Sequence, residues 1–167
     1  DLPISNGYYV SETQAPYAYI RNSKDVYSFN FNVLPETQAK ASFSHTFVND
    51  RTTAKIHIYK VDKESGKAVA QGDASLEGAV YGLYARNDIV HPDGATGVVF
   101  KAGDLVATLT TDKNGEAEVN NFYLGNYYVK EIAPSEGYLL DEEEHDVVCD
   151  YEGDLVAEVS RSTTSAE

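Results

Sequence analysis

A single cysteine, Cys149, is the only thiol in this chain, so no internal disulfide can form, and it has no metal-ligand companions at usable spacing. Its setting, His145-Asp146-Val147-Val148-Cys149-Asp150, alternates as a strand does, and a small buried side chain fits it better than a reactive thiol. Methionine is absent altogether. A chain without an initiator methionine is expected to be a fragment or a processed product. Basic residues are scarce: 13 Lys and Arg stand against 27 Asp and Glu, a formal charge of −14. That balance argues against nucleic acid or an anionic membrane as partner, because both attract basic patches. No apolar run is long enough to span a bilayer, and no charged-then-apolar leader opens the chain. The four histidines, His45, His57, His91 and His145, are scattered, with neither an HxxxH nor a Ser-His-Asp pattern. A turnover enzyme is therefore not expected, and no cofactor is. Consecutive carboxylates in Asp141 to Glu144 would alternate faces on a strand and lack a loop cage, so no metal is expected there either.

Helical periodicity is also nearly missing, while alternation with period two and turn signals recur throughout. Hydrophobic residues make up 42% of the chain, with 13 Tyr against 6 Phe, enough apolar surface for a core. Strands are expected at Ala54 to Asp62, Leu76 to Ala85, Asp104 to Thr111, Glu116 to Phe122, from Gly125 onward, at His145 to Tyr151 and at Leu155 to Ser160. Asn114-Gly115 between two alternating runs is a strong hairpin signal. About seven short strands with turns every 8–12 residues suggest an all-β sandwich. A polar loop from Asn87 to Gly103 is centred on His91-Pro92-Asp93-Gly94.

One phrase occurs twice. Gly125-Asn-Tyr-Tyr-Val-Lys-Glu-Ile-Ala-Pro134 restates Gly7-Tyr-Tyr-Val-Ser-Glu-Thr-Gln-Ala-Pro16, and in each copy a carboxylate, Glu131 or Glu12, stands just before the Ala-Pro end. The repeat divides the chain into residues 1–50, the C-terminal part of one module, and residues 51–167, a complete or nearly complete second one. In the first part Leu2 to Gly7 reads as a turn, and Val26 to Val33 and Ala41 to Asn49 read as strands. Too few strands are present there to close a core, so this part must lean on the second module, another chain or upstream residues.

With these pieces in order, the chain resembles the Cna B-type (SpaA, prealbumin-like) domains of Gram-positive pilins and cell-wall-anchored adhesins. The residues that carry the resemblance are Ile58-Tyr59-Lys60-Val61-Asp62 with Ser65-Gly66, Leu76-Glu77-Gly78-Ala79-Val80-Tyr81-Gly82-Leu83, Thr111 to Gly115, and Leu124 to Glu131 with Ala133-Pro134 and Gly137-Tyr138. Leu2 to Pro16 and Phe47 to Arg51 are similar to the last half of such a domain. The resemblance implies an Ig-like, prealbumin-like β-sandwich outside the cell, at the surface or wall. It also implies a spontaneous isopeptide bond, in which a first-strand Lys attacks a last-strand Asn or Asp with help from a Glu. Lys60 and Glu131 match the nucleophile and the assisting acid of the second module; Glu12 and Asn49 match the acid and the electrophile of the first.

The chemistry has a physical logic of its own. Burial penalises the charged state, driving a lysine toward its nucleophilic neutral form and a glutamate toward its protonated form. A neutral carboxylic acid can then donate to the amide oxygen and shuttle protons while ammonia leaves. In this sequence two partners are missing. The first module's Lys would precede Asp1, and the second module's electrophile is expected one residue past the end, or at Asp146, Asp150 or Asp154 in a shifted register. Lys60 and Glu131 also read as a plain salt bridge, with the lysine keeping its charge.

The function expected is a structural stalk or pilus-type repeat of a bacterial adhesin, with neighbouring modules of the same protein as partners. The alternative is a ligand-binding module that recognises a host protein or glycan through the 87–103 loop.

Overall fold

A computed structural model describes residues 7–31 and 41–166. The expected turn before Gly7 and the end of the strand expected through Val33 lie outside these residues. Every regular element is a strand: β1 (Tyr8–Ser11), β2 (Val26–Phe29), β3 (Thr53–Val61), β4 (Val80–Ala85), β5 (Ile89–Val90), β6 (Val98–Phe100), β7 (Leu105–Thr110), β8 (Glu116–Phe122), β9 (Gly125–Ala133), β10 (His145–Cys149) and β11 (Glu158–Ala166). No helix among the described residues is long and apolar enough to cross a membrane.

Two sheets face each other across the core. One has the order β10-β9-β4-β7 and the other β11-β3-β8. Alternation assigns the faces. Ala54, Ile56, Ile58 and Lys60 of β3 are buried in a row, as are Tyr127, Val129 and Glu131 of β9, because every second side chain of a strand points the same way. Tyr81 and Leu83 of β4, Val147 and Cys149 of β10 and Val159 of β11 fill the space between them. The polar ends of the two rows, Lys60 and Glu131, are thus carried into the interior by the same periodicity that buries the isoleucines.

Between β7 and β8 the chain turns at Asp112 to Gly115, closed by the Gly115 N–H donating to the Asp112 carbonyl and by Asp112 Oδ1 accepting from Asn114 N and Glu116 N. Gly115 needs its freedom: φ is +76°, and a Cβ there would lie 2.5 Å from the Lys60 carbonyl oxygen. The final strand, β11, runs parallel to β3 in a register that places Ser165 beside Lys60.

Cys149 is completely buried, and desolvation pushes its thiol up to about 11, slightly offset by the positive charge of Arg161. The raised value means the neutral thiol is favoured in the fold; this contribution is complete below the unfolded value and is lost as pH rises through about 11. Iodoacetamide at pH 8 is expected to leave the native chain unlabelled and to alkylate it fully in urea; rapid native labelling, read by intact mass, would contradict this burial.

Three elements differ from expectation. The 87–103 loop contains a short antiparallel ladder, β5 with β6, whose two-residue first strand is below the length at which alternation can be recognised. Residues 41–50 form no ladder, although they read as a strand. β11 owes its ladder to β3, and no such strand accompanies 41–50 among the described residues. The last strand also lies later than expected, because its Ser and Thr run gives little apolar signal but finds a full backbone partner in β3.

β1 and β2 make a separate two-stranded antiparallel sheet. Its face carries an aromatic cluster: Tyr8 stacks on Phe29 at 5.6 Å, and Phe29 stacks on Phe43 at 5.0 Å. Phe43 remains 41% exposed, which marks the cluster as half of a core rather than a closed one. The segment is tied to the sandwich through residues 151–157, with Arg21 N donating to the Asp154 carbonyl, Ala15 N to Asp154 Oδ2, and Tyr17 packed on Tyr151 at 4.9 Å.

Candidate cross-link site

Lys60, from β3, and Glu131, from β9, meet across the two sheets with Nζ to Oε1 at 3.3 Å, and neither side chain is exposed. Tyr138 caps them: Lys60 Nζ is 4.8 Å from the centroid of its ring, and the Tyr138 hydroxyl donates to Asp62 Oδ2 at 3.4 Å. Asp62 in turn fixes the turn after β3 by accepting from Ser65 N and Gln71 Nε2. These hydrogen bonds hold the Asp62 carboxyl below its usual range.

The second oxygen of Glu131 accepts from the backbone N–H of Asp141 at 2.8 Å. Asp141 then gathers three further donors: His145 Nε2 lies 2.7 Å from its Oδ2, Ser165 Oγ donates to the same oxygen at 2.7 Å, and Glu143 N donates to Oδ1 at 2.9 Å. Burial raises this carboxyl, but the hydrogen bonds from Ser165, His145 and Glu143 outweigh it and leave the value lowered. The structure therefore joins β3, β9, the loop before β10 and the end of β11 in one polar cluster beneath the core.

Chemically, this cluster supplies an amine and a carboxyl in contact within a water-poor interior. The residue beside Lys60 on the last strand is Ser165, whose hydroxyl has no acyl carbon to offer an amine. The other acids weighed as electrophiles lie elsewhere. Asp146 binds Arg86, Asp154 binds Ala15 N, and Asp150 is exposed at the far end of β10. Lys60 and Glu131 are together, but the described residues place no Asn beside them.

Residues 7–31 and 41–50 hold a second polar group. Asn49 Nδ2 donates to Glu12 Oε2 at 2.6 Å and to the Ile20 carbonyl at 2.9 Å, while Glu12 Oε2 also accepts from Asn22 N. Glu12 and Asn49 are thus brought together, away from the Lys60 and Glu131 pair.

Sequence reasoning did not single out Asp141 and Ser165. Asp141 was legible only as the start of an acidic run, and Ser165 only as part of a polar tail; their roles come from β11 lying beside β3, a contact over a long sequence separation. Asp141, Glu143 and His145 also bring ligand-type atoms within 4.8 Å of one another.

The model of the SpaA, prealbumin-like fold domain matches residues 54–163. Among solved structures, the Bacillus anthracis TIE protein is similar over 99% of this chain and 26% of its own, at 22% identity and a TM-score of 0.62. The group B streptococcus pilus 2b backbone protein is matched over 72% of this chain and 43% of its own, at 21% identity and a TM-score of 0.45. The minor pilin of Streptococcus agalactiae is matched over 87% and 64%, at 21% identity and a TM-score of 0.43. The chain thus spans less than two thirds of each of these structures. No curated protein sequence matches it.

Proposed function

Because the chain belongs to the SpaA, prealbumin-like fold domain family, we propose that it is a structural stalk or pilus-type repeat of a Gram-positive surface adhesin, placed outside the cell at the wall. Residues 1–50 are the C-terminal part of one module and residues 51–167 a second, with neighbouring modules of the same protein as partners. The two-stranded sheet with its half-covered aromatic face supports this division, because two strands alone do not make a stable unit.

The observation that carries the reading is the fully buried Lys60 and Glu131 pair. An exposed pair would need no explanation, whereas burying both groups is costly unless something offsets it. Cross-linking is that offset. Neutral Lys60 Nζ attacks the side-chain carbonyl carbon of an Asn or Asp, and a C–N bond forms. Protonated Glu131 donates to the carbonyl oxygen and relays protons to the departing group. Ammonia leaves from Asn, or water from Asp, and the amide that remains carries no charge. Ser165 stands beside Lys60, so the Asn or Asp that accepts the attack is a different residue. Glu12 and Asn49 are the matching half for a lysine carried by another strand.

Intact mass tests the cross-link. A bonded chain is lighter than its sequence by one ammonia or one water, and Lys60→Ala or Glu131→Ala restores the full mass. A wild-type chain at full sequence mass rejects the bond within these 167 residues.

A further inference from the structure

At the end of the sandwich opposite the Lys60 cluster, the segment joining the two modules passes beside the 87–103 loop and encloses a cavity of about 440 Å³. Its size falls within the roughly 300–1,000 Å³ of small-ligand pockets. Arg51 lies in its wall, with its guanidinium carbon 3.8 Å from the centroid of the Tyr123 ring. Its backbone position is fixed from both sides, since Ile20 N donates to the Asp50 carbonyl and Thr52 N to the Ala18 carbonyl. The guanidinium itself is held by its stacking on the Tyr123 ring.

The Arg51 Nη1 atom is buried and has no hydrogen-bond partner among the described residues. Stacking on Tyr123 is favourable, but it supplies no acceptor to the fork of N–H groups, and a buried donor left unpaired costs about 1–3 kcal/mol. Neither of the two acids in the lining, Asp88, which accepts from Ala102 N through Oδ1, and Asp150, hydrogen-bonds Arg51 Nη1. The nearby Cys149 thiol is held neutral, with a value near 11, so it does not balance the guanidinium either.

The remaining lining suits a polar ring. The Asn126 side-chain amide donates to Asn87 Oδ1, leaving the Asn87 NH2 and the Asn126 oxygen available at the rim. His91 packs edge-on against Tyr123 at 5.4 Å, and the 67% exposed Tyr17 offers an aromatic surface at the mouth. An arginine fork for a carboxylate, aromatic faces for C–H groups and side-chain amides for hydroxyls converge on one space.

The geometry points to this cavity as a binding site for a carboxylate-bearing sugar, with Arg51 as its anchor. The site gives the 87–103 loop a ligand chemistry, and it is independent of whether any cross-link forms.

The test is a 15N-resolved NMR titration of the 167-residue chain with D-glucuronate, with D-glucose and acetate as controls. Glucuronate is expected to shift the resonances of Arg51, Asn87, His91 and Asn126 in a saturable way, with glucose and acetate each at least about tenfold weaker. Arg51→Ala is expected to weaken glucuronate by about tenfold or more while the spectrum stays dispersed. Should Arg51→Ala lose the fold, Arg51→Lys decides instead, because it keeps the charge and lacks the fork. Wild-type affinity in the informative variant overturns the proposal, as does glucuronate that moves none of these resonances. Equal binding of glucose removes the carboxylate from the assignment, and equal binding of acetate removes the sugar; either result overturns it.

Discussion

Lys60→Ala and Glu131→Ala are each expected to lower the stability of the sandwich by about 3–5 kcal/mol, because each leaves the other group buried without its ion-pair partner. The double replacement Lys60→Met with Glu131→Leu separates two causes of that loss. If the pair is only a buried salt bridge, apolar side chains of similar size remove both desolvation costs. The double variant should then match the original or exceed it by about 1–4 kcal/mol. If Lys60 also carries a covalent bond, the double variant stays well below the original, since it cannot restore the lost constraint on the unfolded chain. A disulfide of comparable role contributes about 2–4 kcal/mol. Urea unfolding of the four proteins reads the difference, and tyrosine emission can report it because the chain has no tryptophan. Single variants as stable as the original would show that the 3.3 Å contact contributes nothing net.

Tyr127→Ala is the second large effect, expected to cost about 3–5 kcal/mol, in the range of aromatic-to-alanine changes in cores. The ring is 1% exposed, meets Phe122 edge-on at 5.1 Å, and its hydroxyl donates to the Tyr123 carbonyl at 2.6 Å. Tyr127→Phe should therefore cost only about 1 kcal/mol, one neutral hydrogen bond. The earlier copy of the phrase puts Tyr8 at the matching position, half-buried on a two-stranded sheet. Tyr8→Ala is expected to leave the main unfolding transition within about 0.5 kcal/mol of the original. An equal loss from Tyr8→Ala and Tyr127→Ala in one cooperative transition would mean that the two parts unfold together, against the division at residue 50.

The contrast between the two tyrosines shows what could be read from one dimension. Alternation marked β3 and most of β9 as strands, and a strand places Ile56, Ile58 and Lys60 on one face and Tyr127, Val129 and Glu131 on one face. Asn114-Gly115 marked the β7–β8 hairpin because the turn requires positive φ at Gly115. These features are local, so the residues that specify them are adjacent. What escaped was set by distant neighbours. Residues 41–50 carry a strand pattern but no ladder, because pattern names a face without supplying a partner. β11 has a weak pattern and a complete ladder, because β3 supplies one. In the sequence Arg51 only marks the boundary after residue 50; the approach of Tyr123 and the 87–103 loop makes it the wall of a cavity.

The parallel pairing of β3 with β11 has a mechanical consequence. The module's chain enters at the Thr53 end of β3 and leaves at the Ala166 end of β11, and in a parallel pair those points lie at opposite ends of the ladder. Tension pulling on the two ends therefore slides one strand along the other. All nine register pairs from Glu158↔Thr53 to Ala166↔Val61 are loaded in shear together, rather than peeled apart one after another. Lys60 lies near the exit end of that ladder, so a bond from it to the last strand would take up the load before the backbone hydrogen bonds do.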